Sequence, residues 1–149
     1  MRTTRIGSEK GTAAIEFGLA IPLLLTLLMG VVELGFAMYE AMQVFNAAEA
    51  GAVYAAKNGW DAAGISAAVT NATTTTTGIT ATPAPEHFWG CPSDGGIVAV
   101  ASSSVQCAGG DPPGEYARVG ASLDHSTILP YPGFSLPTTF TGTSVVRLN

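Results

Sequence analysis

The chain has 149 residues, of which 11% are charged, and its formal net charge is −5. With one membrane segment set aside, this length leaves room for one small domain of about 90 residues. Arg2, Arg5 and Lys10 precede the main hydrophobic stretch, whereas ten acidic and only three basic residues follow position 11. This asymmetry predicts a cytoplasmic N-terminus and an exported C-terminal part, and the acidic exterior argues against nucleic-acid binding.

A membrane-spanning helix is predicted close to the N-terminus, after a basic, polar segment over residues 1–10 that has the composition of a leader. Phe17 to Val32 are sixteen uncharged and almost entirely apolar residues. Sixteen helical residues rise about 24 Å, so spanning a hydrocarbon core of about 30 Å requires the helix to extend to roughly Ala13 and Met38. Glu16 then lies inside or at the edge of the membrane, where a carboxylate costs about 2.5–3.5 kcal/mol and needs a partner.

The helical pattern continues beyond the membrane span. Lys57 and Gly59 are typical of a helix end, so one helix is predicted from Ala13 to Asn58, about 69 Å long. Its second half is expected to lie against the exported domain. Apolar residues at 3–4 spacing support this continuation: Met38, Met42, Phe45, Ala48, Ala52 and Ala56. A stripe of small residues, Ala47, Gly51 and Ala55, would allow close helix approach, or it reflects alanine-rich composition alone.

The remainder is predicted to be a small, mainly β domain. Asp61 is a plausible N-cap of a second, short helix, and residues 73–77 are expected to form a loop or ragged strand. Proline- and glycine-rich loops, including one over residues 129–133, are expected between the strands. Predicted strands cover Ile97–Ala101, Tyr116–Leu123 and Thr143–Leu148. So few short strands have little core of their own, and we expect the long helix to complete it. The predicted class is therefore α+β, a long N-terminal transmembrane and amphipathic helix packed on a small antiparallel β-rich extracytoplasmic domain.

The two cysteines, Cys91 and Cys107, both lie in the exported part, where disulfides persist. We predict that they form a disulfide, whose loop closure is worth about 3 kcal/mol. His87 and His125 are expected to be surface or loop residues. Asp124-His125-Ser126 has the residue types of a hydrolase triad, but adjacency in sequence does not create triad geometry. The sequence predicts no catalytic residue, no metal site and no cofactor, and Phe88, Trp89 and Tyr131 are more simply explained by packing than by a binding patch.

A family resemblance rests on residues 11–17, Gly-Thr-Ala-Ala-Ile-Glu-Phe, in which a glycine closes a basic leader and a glutamate follows as the fifth residue. This resembles the processing site of type IV pilin-like proteins. Further similar segments are Pro22–Leu25, Val32–Gly35, the alanine-rich run over 43–56, and Thr143–Arg147. Together they resemble the TadE-like family, pseudopilins of the tight-adherence (Flp pilus) machinery. The resemblance is strong over 11–58, weaker over 115–149 and nearly absent over 60–112.

The resemblance implies a processing site at Gly11 and Thr12, cut by a prepilin peptidase on the cytoplasmic side. It also implies that Glu16 and Phe17 take part in subunit assembly. The α-amine of Thr12, freed by the cut, has a pKa of about 8 and is mostly protonated at neutral pH. Glu16 lies one helical turn away, and in a filament it pairs with the amine of an adjacent subunit or, alternatively, extends to lipid headgroups. Glu33 and Glu40 share a helix face and are interpreted as a solvated stripe.

The expected organisation has four parts: a leader over 1–11, a transmembrane helix over 12–39, its continuation outside the membrane over 40–59, and an extracytoplasmic domain over 60–149. The resemblance implies a minor pilin or pseudopilin of the bacterial inner membrane, incorporated in a pilus or assisting its assembly. Its implied partners are the prepilin peptidase, the major Flp pilin, sibling pseudopilins and the inner-membrane assembly platform.

Two alternatives stay open. The first is a signal-anchored extracytoplasmic binding protein with no connection to a pilus, or a secreted form cleaved after Gly35-Phe36-Ala37. The second is a small membrane-tethered enzyme, which the lack of any catalytic motif disfavours.

Overall fold

The computed structural model describes residues 9–73, 78–127 and 136–148, with side chains from residue 11 onward. The chain forms two compact units, Met1–Phe36 and Ala37–Asn149. The predicted loops over 73–77 and 129–133 lie wholly or almost wholly outside the described residues. The secondary structure elements are α1 (Glu9–Asn58), α2 (Ala62–Thr70), β1 (Glu86–Ser93), β2 (Gly96–Val100), β3 (Gly114–Asp124) and β4 (Thr139–Arg147).

Helix α1 runs through the predicted membrane span and its continuation without interruption. It starts at Glu9 rather than at Ala13, so the two described residues before the predicted processing site, Glu9 and Lys10, are already helical. The helix ends where predicted, at Asn58, because Gly59 adopts a positive φ of 79° and its N–H donates to Ala55 O at 2.9 Å. A glycine in this left-handed conformation satisfies a terminal carbonyl without a steric penalty.

Helix α2 begins as predicted at an aspartate cap. Asp61 has an extended backbone, and its carboxylate accepts a hydrogen bond from Ala63 N at 3.2 Å. The second carboxylate oxygen of Asp61 accepts from the Tyr54 hydroxyl at 3.3 Å, which connects the start of α2 to the end of α1. Ile65 and Val69 form the buried face of this short helix.

The four strands form one antiparallel sheet in the order β2-β1-β3-β4. The predicted strands at 97–101, 116–123 and 143–148 correspond to β2, β3 and β4, with shifted ends. Strand β1 was missed, because Gly90 and Pro92 make Glu86–Ser93 a poor strand sequence in isolation. It is held in place by pairing with β3 on one side and β2 on the other.

The hydrophobic core of the second unit lies between the sheet and the second half of α1, as predicted. Strand β3 alternates as expected, and its core-facing residues are Ala117, Val119, Ala121 and Leu123. Helix α1 contributes Val44, Ala47, Ala48, Ala52 and Ala55, and α2 contributes Ile65 and Val69. Four of the five core residues of α1 are alanines, so the backbone of α1 lies close to the sheet and to α2.

The small-residue stripe of α1 is therefore used for packing within the domain. Ala47 and Ala55 are fully buried, and Gly51 between them is buried too. A Cβ atom added at Gly51 would lie 2.6 Å from Val69 Cγ2 and 2.8 Å from Val119 Cγ1. Gly51 is thus a point of close contact with both α2 and β3.

The predicted disulfide is present. Cys91 on β1 is bonded to Cys107 in the loop between β2 and β3, with their Cα atoms 5.5 Å apart. Within this loop, Cys107 N donates to Asp111 O at 3.0 Å, and Gly110 N donates to Cys107 O at 2.8 Å. The disulfide and these two hydrogen bonds fix the loop onto the sheet.

We predict that Gly51→Ala destabilises the second unit by about 1–3 kcal/mol, because the added methyl group overpacks the contact with Val69 and Val119. Alanine has the higher helix propensity, so the substitution is stabilising wherever space is available. Gly35→Ala is the matched control, since no atom lies within 4 Å of its added Cβ. Denaturant unfolding of the full chain in detergent, followed by Trp60 and Trp89 fluorescence, measures the difference. Equal midpoints for the two variants would contradict the close-packing argument.

Candidate assembly interface

The first unit exposes a long apolar surface. From Gly11 to Met29 every residue of α1 is exposed, including bulky side chains such as Leu19 at 74%. Helix α1 has the length and composition needed to cross a membrane. A contiguous apolar surface of this size is unfavourable in water and fits lipid or other apolar helices. The helix therefore indicates membrane anchoring.

The predicted processing and assembly residues lie together near the start of α1. Gly11, Thr12, Glu16 and Phe17 are all exposed. Thr12 and Glu16 are four residues apart, which places them on the same helix face about 6 Å apart along the axis. No atom lies within 4 Å of a Cβ added at Gly11, so packing within the described chain does not require a glycine there. The processing and assembly roles of these residues stay predictions.

An exposed apolar stripe is also present on the part of α1 that belongs to the second unit. Met38, Met42 and Phe45 are each more than half exposed, and Val53 follows further along the helix. The spacing of these three with Ala48, Ala52 and Ala56 correctly predicted that the helix continues, but among the six only Ala48 and Ala52 are buried. The domain takes the small residues and Val44 as its core, because only those allow close approach, and it leaves the large side chains outside.

A buried polar pair connects α1 to the end of the sheet. His125, just after β3, has a side chain only 3% exposed, and its Nδ1 lies 2.6 Å from Glu40 Oε2 on α1. The backbone N–H of His125 donates to Thr138 O at 2.8 Å, and the ring packs against Phe140 with centroids 5.3 Å apart. A hydrogen bond to a carboxylate offsets the desolvation of a buried imidazole.

This pair corrects two predictions. His125 was expected to be a surface or loop residue, and it does lie just beyond β3, but its side chain is buried against Glu40 and Phe140. Glu33 and Glu40 were interpreted as a solvated stripe, but Glu33 is only 5% exposed and Glu40 is part of the His125 pair. The seven-residue spacing of Glu33 and Glu40 places both on one helix face, but it does not show whether that face is buried.

The triad residue types do not assemble into a catalytic site. His125 is engaged by Glu40, while Asp124 accepts a hydrogen bond from Thr139 Oγ1 at 3.0 Å. Among the residues that the structure describes, no three metal-binding side chains come together. Cys91, which lies four residues after His87 in the sequence, is in the disulfide and is therefore not a free thiolate for a metal.

His87 is exposed as predicted, although it lies in strand β1 rather than in a loop. Its Nε2 is 2.5 Å from Glu115 Oε1, and its ring lies between those of Trp60 and Trp89. Phe88 and Trp89 alternate to opposite faces of the sheet and so do not form one aromatic patch. Tyr131, the third residue of that hypothetical patch, lies outside the described residues.

Comparison with known protein families finds a match for part of helix α1. A family model described as TadE-like protein matches residues 11–53, which confirms the resemblance drawn from the sequence over this segment. No curated protein and no solved structure matches the chain.

We predict that Glu40→Ala lowers the free energy of unfolding of the second unit by about 1–3 kcal/mol, because the buried imidazole of His125 loses the carboxylate that it contacts. Glu49→Ala is the matched control, since Glu49 lies on the same helix, is exposed and forms no ion pair with a described residue. Chemical denaturation of both variants in detergent provides the comparison. A Glu40 variant as stable as the Glu49 variant would show that the pair contributes nothing to stability.

Proposed function

We propose that this chain, TadE-like over residues 11–53, is a minor pilin or pseudopilin that takes part in the assembly of Tad/Flp-type pili. The observation that carries the proposal is the coincidence of the family match with a helix whose apolar surface is exposed over its first 20 residues or so. The protein is anchored in the bacterial inner membrane with a cytoplasmic N-terminus and an exported second unit. Two features support this orientation. Basic residues precede the apolar stretch, and a disulfide lies in the part of the chain that follows it.

Processing by a prepilin peptidase is the first step of the proposed function. The cut falls between Gly11 and Thr12 and removes the basic leader. The structure has this bond inside α1, so the peptidase must open the first helical turns to reach it. Helix ends open at low cost, because the first turn lacks a full set of backbone hydrogen bonds.

Assembly through Glu16 is the second step. Its carboxylate is exposed one helical turn beyond Thr12, at a depth where an isolated charge is unfavourable. The protonated amine of Thr12 on an adjacent subunit neutralises it. Such a pair fixes the axial register of the two helices, since a shift by one turn leaves both charges unpaired in a low dielectric.

The exposed apolar side chains of α1 provide the remaining contact. Leu19, Leu23 and Leu27 in the first unit, and Met38, Met42 and Phe45 in the second, present surface that neighbouring helices can cover. Methionine and unbranched side chains adapt to different partners, which suits packing against more than one kind of subunit. The proposed partners are the major Flp pilin, sibling pseudopilins and the inner-membrane assembly platform.

We predict that Gly11→Arg blocks processing. Space around Gly11 is open, so loss of cleavage would report recognition by the peptidase rather than a packing defect. Gly18→Ala, at an equally open position of α1, should be processed normally. Intact mass and N-terminal sequencing of the purified proteins measure the outcome. A mature wild-type protein starting at Thr12 supports the proposal; one starting at Met1 indicates a plain anchor, and one starting at Met38 a cleaved secretory signal.

We predict that Glu16→Ala leaves processing intact but weakens association with the pilus at least about tenfold, because the partner amine loses its counter-charge in low dielectric. Co-purification of the variant with the major pilin, quantified against wild type, tests this. Glu49→Ala, an exposed glutamate further along the same helix, should co-purify normally. Normal recovery of the Glu16 variant would show that the carboxylate merely lies at the membrane border.

A further inference from the structure

A cleft lies on the face of the sheet opposite the core. In antiparallel pairs, directly opposed residues point to the same side. Phe88 pairs with Tyr116, and Tyr116 pairs with Arg147, so all three project from the face that points away from α1. The disulfide-closed loop covers part of this face, and a cavity of about 470 Å³ remains between loop and sheet. Its walls include Pro92, Cys107, Asp111, Gly114, Tyr116 and Arg147.

The walls of the cleft are held by the fold rather than by flexible side chains. Tyr116 is buried and its ring stacks on Phe88 at 5.8 Å. The disulfide at Cys107 and the hydrogen bond from Cys107 N to Asp111 O fix the opposite wall. The volume lies within the range of about 300–1,000 Å³ that is usual for pre-formed ligand pockets.

Arg147 supplies a positive charge to this cleft. Its Nε lies 3.1 Å from the position of a Cβ added at Gly114, so the absence of a side chain at Gly114 leaves room for the guanidinium. The other arginine on this sheet face, Arg118, is paired with Glu86 at 2.7 Å and lies over the Phe88 ring. Arg147 forms no ion pair with any described residue, in a chain with nearly twice as many acidic as basic residues.

The charge balance of the cleft favours a weakly charged anion. Asp111 lines the cleft with Arg147, and the chain as a whole carries a net charge of −5. A doubly charged phosphate meets repulsion from both, whereas a carboxylate carries one charge and matches the planar, two-donor edge of a guanidinium. A ligand that places a hydrogen-bond donor beside its carboxylate also satisfies Asp111.

We propose that this cleft binds a carboxylate-bearing peptide segment, with Arg147 holding the carboxylate and Asp111 accepting a hydrogen bond from a neighbouring N–H group. The carboxylate comes either from a chain terminus or from an aspartate or glutamate side chain, since both present the same two oxygens. The site belongs to the second unit alone and does not depend on processing or on the apolar helix. A result that contradicts the pilus proposal would therefore not contradict the binding proposal, and a failure of peptide binding would not contradict the pilus proposal.

The test uses the full chain in detergent and three short peptides measured by NMR titration. Acetyl-trialanine has a free terminal carboxylate, and acetyl-trialanine amide, the second peptide, has no carboxylate. The third peptide, acetyl-Ala-Asp-Ala-amide, has a side-chain carboxylate only. We expect one or both carboxylate peptides to bind at least about tenfold more tightly than the amide, because a charge-assisted bidentate contact is lost in the amide. The first and third peptides distinguish the two sources. Inorganic phosphate should bind more weakly than the better carboxylate peptide.

Three variants at two positions assign the effect to the cleft. Arg147→Gln should reduce binding of the carboxylate peptide about tenfold and Arg147→Lys less, whereas Asp111→Asn should strengthen it a few-fold by removing the repulsion. Arg118→Gln is the matched control on the same sheet face and should bind as wild type does. The proposal is overturned if no carboxylate peptide binds, if acid and amide bind equally, if phosphate binds more tightly, or if Arg147→Gln binds as tightly as wild type.

Discussion

The close approach of α1 to strand β3 is the contact on which the folded unit depends. A sheet with one apolar face must bury that face against another element. The helix completes the core, but it does so mainly with alanines, and Gly51 lies where even a methyl group has no space. Apart from Val44, the larger core side chains come from outside α1, among them Val119 and Leu123 on β3 and Ile65 and Val69 on α2. The same helix provides the apolar N-terminal segment, so the anchor and the core scaffold are one element.

This arrangement explains why the large side chains of α1 face away from the domain. A helix that used Met42 and Phe45 in the core would be held at a greater distance from the sheet, and β3 would lose its contacts with Ala48 and Ala52. Placing the small residues inward leaves an apolar stripe outward. A stripe of that kind is unfavourable in water, and it is compatible with a protein whose helix is covered by lipid or by other helices. The proposed role in pilus assembly provides those surroundings.

Polar contacts connect helix α1 to the end of β3 and to the start of α2. Glu40 and His125 connect the helix to the end of β3, and Asp61 connects α1 to α2 through Tyr54. The disulfide performs the same function for the long loop after β2, because it connects Cys107 to β1. The cleft that contains Arg147 lies between this loop and the far face of the sheet.

The sequence alone determined the features that depend on local patterns. Uninterrupted apolar composition, a terminal glycine and an aspartate cap determine the two helices, and alternation determines β3. The short motif over residues 11–17 predicts the TadE-like resemblance that the family model matches over 11–53. Tertiary structure decided the rest. Strand β1 exists because its neighbours pair with it, and His125 is buried because it packs against Glu40 and Phe140. Arg147 lines a cleft because strand register places it opposite Tyr116 and close to Gly114. Helical periodicity predicted an apolar face on α1, but side-chain size selected which residues turn inward, since close approach to the sheet requires small ones.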